Sequence, residues 1–454
     1  MSTIAAVSTP RGAGGISVIR ISGENALGVS DKIFTSVSSK LAPSEMDGYT
    51  CAYGKISKDN DIIDDCVLTV FRAPKSYTGE DVVEISCHGG IFVTEKILQL
   101  IYSNGAVPAE AGEFTKRAFL NGKMNLIQAE AVMDIISAEG EASRKCAVAL
   151  REGALFSSIH SVSEKLLHLL GELGAWVDYP EEDIPEVDND AMLEVLNRSA
   201  DALENILSTY DCGRILREGI DTAIVGKPNV GKSTLMNLLS GCERSIVTDI
   251  AGTTRDIVEE SVRLGDIVLR LSDTAGIHDT DDIVESFGVK KANDKIDNAE
   301  LILAVFDNSE KLTSEDVEIS ERCKGKNAVA VINKTDKEKI LDTDYIESHF
   351  DKVVYISAGN GNGISDLQNV LTDLFKTNST NYNAGVLANE RQRSCVVNSL
   401  NSLRESIDAL KQGYTLDAVN ILIDDAENYL LELTGERASE AVVNEVFSHF
   451  CVGK

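Results

Sequence analysis

The stretch Gly226-Lys227-Pro228-Asn229-Val230-Gly231-Lys232-Ser233 decides how this chain is read. Residues 222–225 before it form an apolar run with the character of a buried strand, and residues 234–239 after it open an apolar-periodic helix. Between a strand and a helix, the pattern G-x-x-x-x-G-K-[ST] makes a phosphate cradle. Its glycines let the backbone wrap the anion, and the N–H groups of the loop and the helix N-terminus face the negative charge. Asn229, Val230, Gly231, Lys232, Ser233 and Thr234 then line the phosphates. Lys232 reaches the β- and γ-phosphates and Ser233 holds Mg²⁺.

Outward from the loop, residues 217–378 alternate strand and helix, which predicts a doubly wound α/β domain. Asn333-Lys334-Thr335-Asp336, after an apolar strand over 327–332, names the base. The Asp336 carboxylate accepts two hydrogen bonds from the guanine ring N–H and exocyclic amine, which adenine does not offer. Ser357 and Ala358, after a strand over 353–356, support the base from the other side. Asp273-Thr274-Ala275-Gly276 follows a strand over 267–271; Asp273 reaches Mg²⁺ through water and the Gly276 N–H meets the γ-phosphate. Thr248, Asp249, Ile250, Ala251, Gly252, Thr253 and Thr254 open the segment T-D-I-A-G-T-T-R-D, read as a first switch in which Thr254 closes on Mg²⁺. The expected ligand is therefore GTP with Mg²⁺.

One position departs from the small signalling GTPases, which carry a water-orienting Gln directly after D-T-A-G. Here that position is Ile277. Asn229 offers a carboxamide oxygen that can hold a monovalent cation beside the phosphates, where an arginine finger otherwise stands, and the carbonyls of Thr248, Ile250 and Thr253 complete its shell. Glu285 reads two ways: an acid that aligns the attacking water, or a solvated carboxylate in a segment crowded with acids.

The chain has 454 residues, enough for about three domains. Its nine cysteines show no C-x-x-C pair, which predicts reduced thiols in a cytoplasm-like compartment and no structural zinc site. No apolar stretch approaches the ~18 residues of a membrane span, and the first residues do not form a signal peptide. A net charge of −30 argues against general nucleic-acid binding through a basic surface. Residues 1–122 read as α+β, with strands over 16–21, 66–71 and 82–86 and a helix over 92–102 whose Val93, Ile97, Leu100 and Ile101 share a side. The turns at 11–15, 77–81 and 112–117 read as ordinary turns and a helix cap.

Amphipathic helices follow over 123–216, with stripes on Leu126, Ala129, Val132, Ile135 and Ile136, on Val162, Leu166, Leu169, Leu170 and Leu173, and on Leu193, Leu196, Ala200, Leu203 and Leu207. Trp176 reads as core or half-buried surface, and His160 and His168 as structural. Helices resume over 379–454, with stripes on Val397, Leu400, Leu403, Ile407 and Leu410, then on Ala418, Ile421, Leu422, Ala426, Tyr429 and Leu430. Two helical blocks of like texture imply one discontinuous bundle with the nucleotide domain, 217–378, inserted in it.

Further segments carry a resemblance: Gly14-Gly15 through Arg20-Ile21-Ser22-Gly23, Tyr77 to Asp81, Cys87-His88-Gly89-Gly90, Gly112 to Asn121, Gln128 to Ala131, Val284-Glu285 with Gly288, and Cys451-Val452-Gly453-Lys454. With the switches, they resemble the MnmE (TrmE) family of tRNA uridine-modification GTPases over essentially the whole chain. The resemblance implies a multidomain α/β protein: a folate-binding-like N-terminal domain that dimerises, a discontinuous helical bundle and an inserted Ras-like P-loop G domain. It implies that Arg20, Glu80, Lys123 and Lys454 bind 5-formyl- or 5,10-methylene-tetrahydrofolate, replacing the plain-turn reading of those segments. It further implies K⁺ stimulation through Asn229, Glu285 as catalytic glutamate, and G-domain pairing across two subunits. The implied partner is the FAD-dependent MnmG (GidA) in a heterotetramer, and the implied reaction places a carboxymethylaminomethyl or aminomethyl group on C5 of the wobble uridine of certain tRNAs. Cys451 reads as a nucleophile or as a packing residue of the folate pocket, and the lack of an adjacent base favours packing. A regulatory switch GTPase of signalling or ribosome assembly accounts equally for 217–378 but not for the front domain or the C-terminal tail.

Overall fold

A computed structural model describes the chain except for residues 38–40, 60, 179–187, 243–259, 272–296, 298 and 376–384. It divides into two compact units: Met1–Met133 together with Asp425–Lys454, and Asp134–Asp424.

In the first unit, the strands are β1 (Ile4–Val7), β2 (Ile16–Ser22), β3 (Phe34–Ser36), β4 (Thr50–Lys58), β5 (Asp61–Phe71), β6 (Val82–His88) and β7 (Val107–Pro108). They form one sheet in the order β3-β4-β5-β6-β2-β1-β7. Alternation sets the register. In β2, Ile19 and Ile21 face the core, and Arg20 faces away opposite Glu84 of β6. Helices α1 (Ala26–Ile33) and α2 (Ile91–Ser103) bury Val29, Ile33, Ile97 and Ile101 in that core. The α2 stripe is the one read from sequence, with Val93 only half-buried at its start. Two further helices, α3 (Glu113–Leu120) and α4 (Leu126–Ser137), follow. The α4 stripe ends early: Leu126 and Ala129 are buried, but Ile136 is 45% exposed.

The second unit starts with α5 (Glu141–Arg151), α6 (Ala154–Asp178), α7 (Asn189–Leu207) and α8 (Tyr210–Glu218). Along α6, Val162, Leu166, Leu169 and Leu173 are buried; Trp176 is half-exposed, and His160 and His168 pair with Glu164 and Glu172 one turn on. Strands β8 (Ile220–Val225), β9 (Glu260–Leu264), β10 (Ile267–Leu271), β11 (Leu301–Asp307), β12 (Ala328–Asn333) and β13 (Val353–Tyr355) make the second sheet, ordered β13-β12-β11-β8-β10-β9. All neighbours pair in parallel except β9 with β10. Burial on both faces explains why the first six residues of β11, Leu-Ile-Leu-Ala-Val-Phe, are all apolar. Helices α9 (Lys232–Cys242), α10 (Ser314–Cys323), α11 (Thr343–His349) and α12 (Ile364–Leu374) alternate with the strands. Because β8 lies between β10 and β11, the sheet reverses its winding there, and the crevice beyond the carboxyl end of β8 is where such folds bind ligands.

After that domain come α13 (Glu390–Lys411), α14 (Leu416–Thr434) and α15 (Glu440–Ser448). Helix α13 packs along α7, with Arg404 paired to Glu204 at 2.5 Å and Tyr210 hydroxyl donating to Glu390 at 2.8 Å. Helices α7 and α13, before and after the nucleotide-binding segment, thus pack together, with the parallel α/β domain between them in the chain, whereas residues 425–454 group with 1–133. Two predicted stripes shift. On α13 the buried residue is Val396, with Val397 half-buried. On α14 the buried face runs Val419, Ile423, Ala426, Leu430 and Leu433, while Ile421 is 62% exposed. An apolar-rich helix offers two overlapping stripes, and packing rather than spacing selects one. No described helix is long and apolar enough to cross a membrane.

Candidate functional site

The loop between β8 and α9 has the conformation its residue types allow. Gly226 and Gly231 hold φ of +155° and +99°. A Cβ on Gly231 would lie 2.3 Å from Nδ2 of Asn333, so only glycine fits there. Asn229 is also left-handed, at φ +65°, a region Asn tolerates better than most residues. Its side chain is exposed, as are those of Ser233 and Thr234, while Val230 is fully buried. Lys232 turns back on the loop: its Nζ donates to the carbonyls of Gly226 (2.7 Å) and Lys227 (2.8 Å). Burial draws its ammonium below the usual lysine range. The geometry suits a polyanion, which would replace those carbonyls as the acceptor of Lys232.

The base-reading residues attach to this loop directly. Asn333 Nδ2 donates to the Val230 carbonyl at 2.8 Å, and its Oδ1 accepts from the N–H groups of Lys334 (2.8 Å) and Ala358 (3.0 Å). Lys334, at φ +63°, sends its ammonium to the Asn229 carbonyl at 2.7 Å. Asp336 is exposed and accepts from the Ser357 hydroxyl at 2.6 Å, which holds its carboxyl below the usual range and aims it. The structure therefore brings together Asn229 to Thr234, Asn333, Lys334, Asp336, Ser357 and Ala358. Residues 248–254, Asp273 to Gly276, Ile277 and Glu285 lie outside the described residues.

Sequence reasoning missed two supports of this site. Lys227, inside the loop, is nearly buried and paired with Asp316 (3.2 Å) and Glu310 (3.1 Å). Asp307 closes β11 and pairs with Lys334 at 2.5 Å. The only sequence signal for Asp307 is an acid ending an otherwise apolar strand.

A second cluster lies in the first unit. Arg20 is paired with Glu84 (2.8 Å) and lies over the rings of Tyr77 (5.3 Å) and Phe114 (5.5 Å). The tail packs beside it: Arg20 donates weakly to the Gly453 carbonyl at 3.5 Å, and Ser8 donates to the same oxygen at 3.1 Å. Gly453 holds φ +101°, and a Cβ there would meet the Val7 carbonyl at 2.3 Å. Lys454 is drawn below the usual lysine range by burial and by the nearby Arg20 charge. Glu80 accepts from Ser22 (2.7 Å) and the buried Arg117 (3.1 Å). Lys123 gives its ammonium to the Pro74 carbonyl at 2.9 Å and packs near Gly79. Arg20 and Lys454 thus lie within reach of each other's charge, with Glu84 offsetting part of it, while Glu80 and Lys123 make their contacts with Ser22, Arg117 and the Pro74 carbonyl. Glu84 and Arg117 were not singled out from sequence.

Comparison with known proteins bears on both clusters. The profile described as "GTP-binding protein TrmE N-terminus" matches residues 3–123, and that described as "MnmE helical domain" matches residues 126–451. The chain is similar to the tRNA modification GTPase MnmE of Acetivibrio thermocellus, 42% identical over 458 residues that cover 100% of this chain and 99% of the relative. That of Clostridioides difficile is 42% identical over 459 residues, again 100% and 99%. That of Lactococcus lactis subsp. lactis is 41% identical over 453 residues, 100% and 98%. Matched from end to end by whole-length relatives and by both profiles, this chain belongs to the MnmE family.

Proposed function

We propose that this chain is a potassium-activated GTP hydrolase that, with an FAD-dependent partner of the MnmG (GidA) type, modifies C5 of the wobble uridine of certain tRNAs with a tetrahydrofolate one-carbon unit. The observation that carries the GTPase part is the direct tie between the phosphate loop and Asn333-Lys334, with Asp336 aimed by Ser357. The names of the relatives support the tRNA part. In this reading, Lys232 leaves the loop carbonyls for the β- and γ-phosphates, and Ser233 and Thr254 hold Mg²⁺. A K⁺ ion held by Asn229, Thr248, Ile250 and Thr253 supplies positive charge where charge develops on the phosphates. Glu285 aligns the attacking water. Asp336 selects guanine by accepting from its N–H and amine.

The Arg20 and Lys454 charges are read as the seat of a folate carboxylate or ring oxygen, with Glu80 and Lys123 completing the pocket. The proposed domains are 1–122 for folate binding and dimerisation, 123–216 and 379–454 for the helical domain, and 217–378 for the G domain. The assembly is a homodimer that joins two partner chains, in the cytoplasm. GTP turnover by the purified chain in matched K⁺ and Na⁺ buffers tests the core of this reading. At least a tenfold excess in K⁺ is expected, about 1.4 kcal/mol of barrier. Equal rates would remove the cation from the mechanism.

A further inference from the structure

Asp307 belongs to none of the nucleotide motifs, yet it is a buried charge beside them. Its side chain is 1% exposed. Parallel register pairs it with Asn333 of β12, so it lies beside the base-reading loop. One carboxylate oxygen accepts the Lys334 ammonium at 2.5 Å; the other accepts the Ser309 N–H (2.9 Å) and hydroxyl (2.7 Å). That same ammonium reaches the Asn229 carbonyl at 2.7 Å. Burial would push the carboxyl up, but these partners outweigh it and hold it below the usual range. One buried anion therefore fixes a lysine whose side chain is itself 24% exposed and would otherwise reach solvent.

We propose that Asp307 is a positioning residue for the nucleotide site: by anchoring the Lys334 ammonium on the Asn229 carbonyl, it locks the base-reading loop to the phosphate loop as one unit. Adjacent carbonyls of the phosphate loop, Asn229 and Val230, are then held from the same side by Lys334 and Asn333. Losing the Asp307 charge frees the lysine and leaves Asn333 as the remaining strut among the described residues. The base loop then holds Asp336 less firmly against guanine. The inference rests on the guanine-nucleotide reading of the site.

The test uses the full chain and equilibrium binding of GDP and IDP, which lacks the exocyclic amine that Asp336 accepts. Wild type must bind GDP more tightly than IDP; if it does not, the guanine reading fails, independently of Asp307. Asp307→Asn is expected to weaken GDP about tenfold and to shrink the GDP-over-IDP preference. Lys334→Met is expected to do the same, and the double variant to lose no more than the worse single one. A smaller folded fraction weakens both nucleotides equally and leaves the preference unchanged, so an unchanged preference overturns the proposal. So do losses that add. Should Asp307→Asn not fold, Ser309→Ala, which removes only the hydroxyl aiming the carboxylate, is expected to narrow the preference about twofold, and an unchanged preference there also overturns it.

Discussion

Asn229 illustrates how one residue carries two demands. Its side chain is the proposed cation ligand, and its backbone is left-handed at φ +65°. Replacement by Ala would remove the carboxamide and strain the loop by about 1 kcal/mol, so a lost potassium response would have two explanations. Asn229→Gly separates them, because glycine adopts that φ freely. We expect Asn229→Gly to bind GDP within about twofold of wild type and to hydrolyse GTP at equal rates in K⁺ and Na⁺. A preserved potassium response in this variant would assign Asn229 to conformation alone. Cysteine chemistry is also settled residue by residue. Burial pushes the thiols of Cys66 and Cys146 up to about 12 and that of Cys323 to about 11, while Cys51 is exposed. At pH 8 a thiol of pKa 12 is ionised on the order of one part in ten thousand. Iodoacetamide followed by peptide mass spectrometry should mark Cys51 in the native protein and reach the other three only in denaturant. Early labelling of Cys146 would contradict its burial in α5.

Among elements, the strands named from sequence are all present, whereas β1, β3, β4, β7, β9 and β11 were not read and the helical faces shifted. The β8 loop was readable because its glycines, lysine and serine must stand at fixed spacings for the backbone to hold phosphate. The face of α14 was not, because Ala418, Ile421, Leu422 and Val419, Ile423, Ala426 are both plausible stripes of one helix. Only packing distinguishes them. The distinction has a measurable size. Ile423→Ala, at a fully buried position, should lower stability by about 2–5 kcal/mol, and Ile421→Ala by less than about 0.5 kcal/mol. Denaturant midpoints of the two variants decide it; similar midpoints would return the buried face to Ile421. Asp307 was illegible for a related reason. Its partner is Lys334, 27 positions away, and their meeting depends on the parallel register of β11 with β12. No local spacing encodes that register.

At the scale of the whole molecule, texture alone suggested that the helical residues before and after the G domain pack together; α7 and α13 do so, while residues 425–454 group with 1–133 and pack Val443, Phe447 and Phe450 against Ala118, Leu126 and Ala129. The second cluster was singled out only by resemblance. Arg20, Glu84 and Lys454 come from distant parts of the chain, and turn residues carry no mark of what they will face. The folate reading predicts that 5-formyltetrahydrofolate binds the full chain and that deletion of Lys454 weakens it at least tenfold, by isothermal titration. Because Lys454 is held below the usual lysine range, its charge is lost early as pH rises, and affinity for an anionic ligand should fall on the alkaline side before an ordinary lysine would titrate. Equal affinity with and without Lys454 would remove the tail from the pocket, and no binding by either form would favour a pure switch GTPase.

The docking of the tail has a consequence for biosynthesis. Ala111 bridges to Val452, Gly112 and Phe114 donate to the carbonyls of Cys451 and Lys454, and Ser8 donates to that of Gly453. These bonds belong to a unit whose first 133 residues leave the ribosome early but whose remaining piece, from Asp425, is made only after all of 134–424. During that interval helix α3 lacks the neighbours that residues 440–454 later supply.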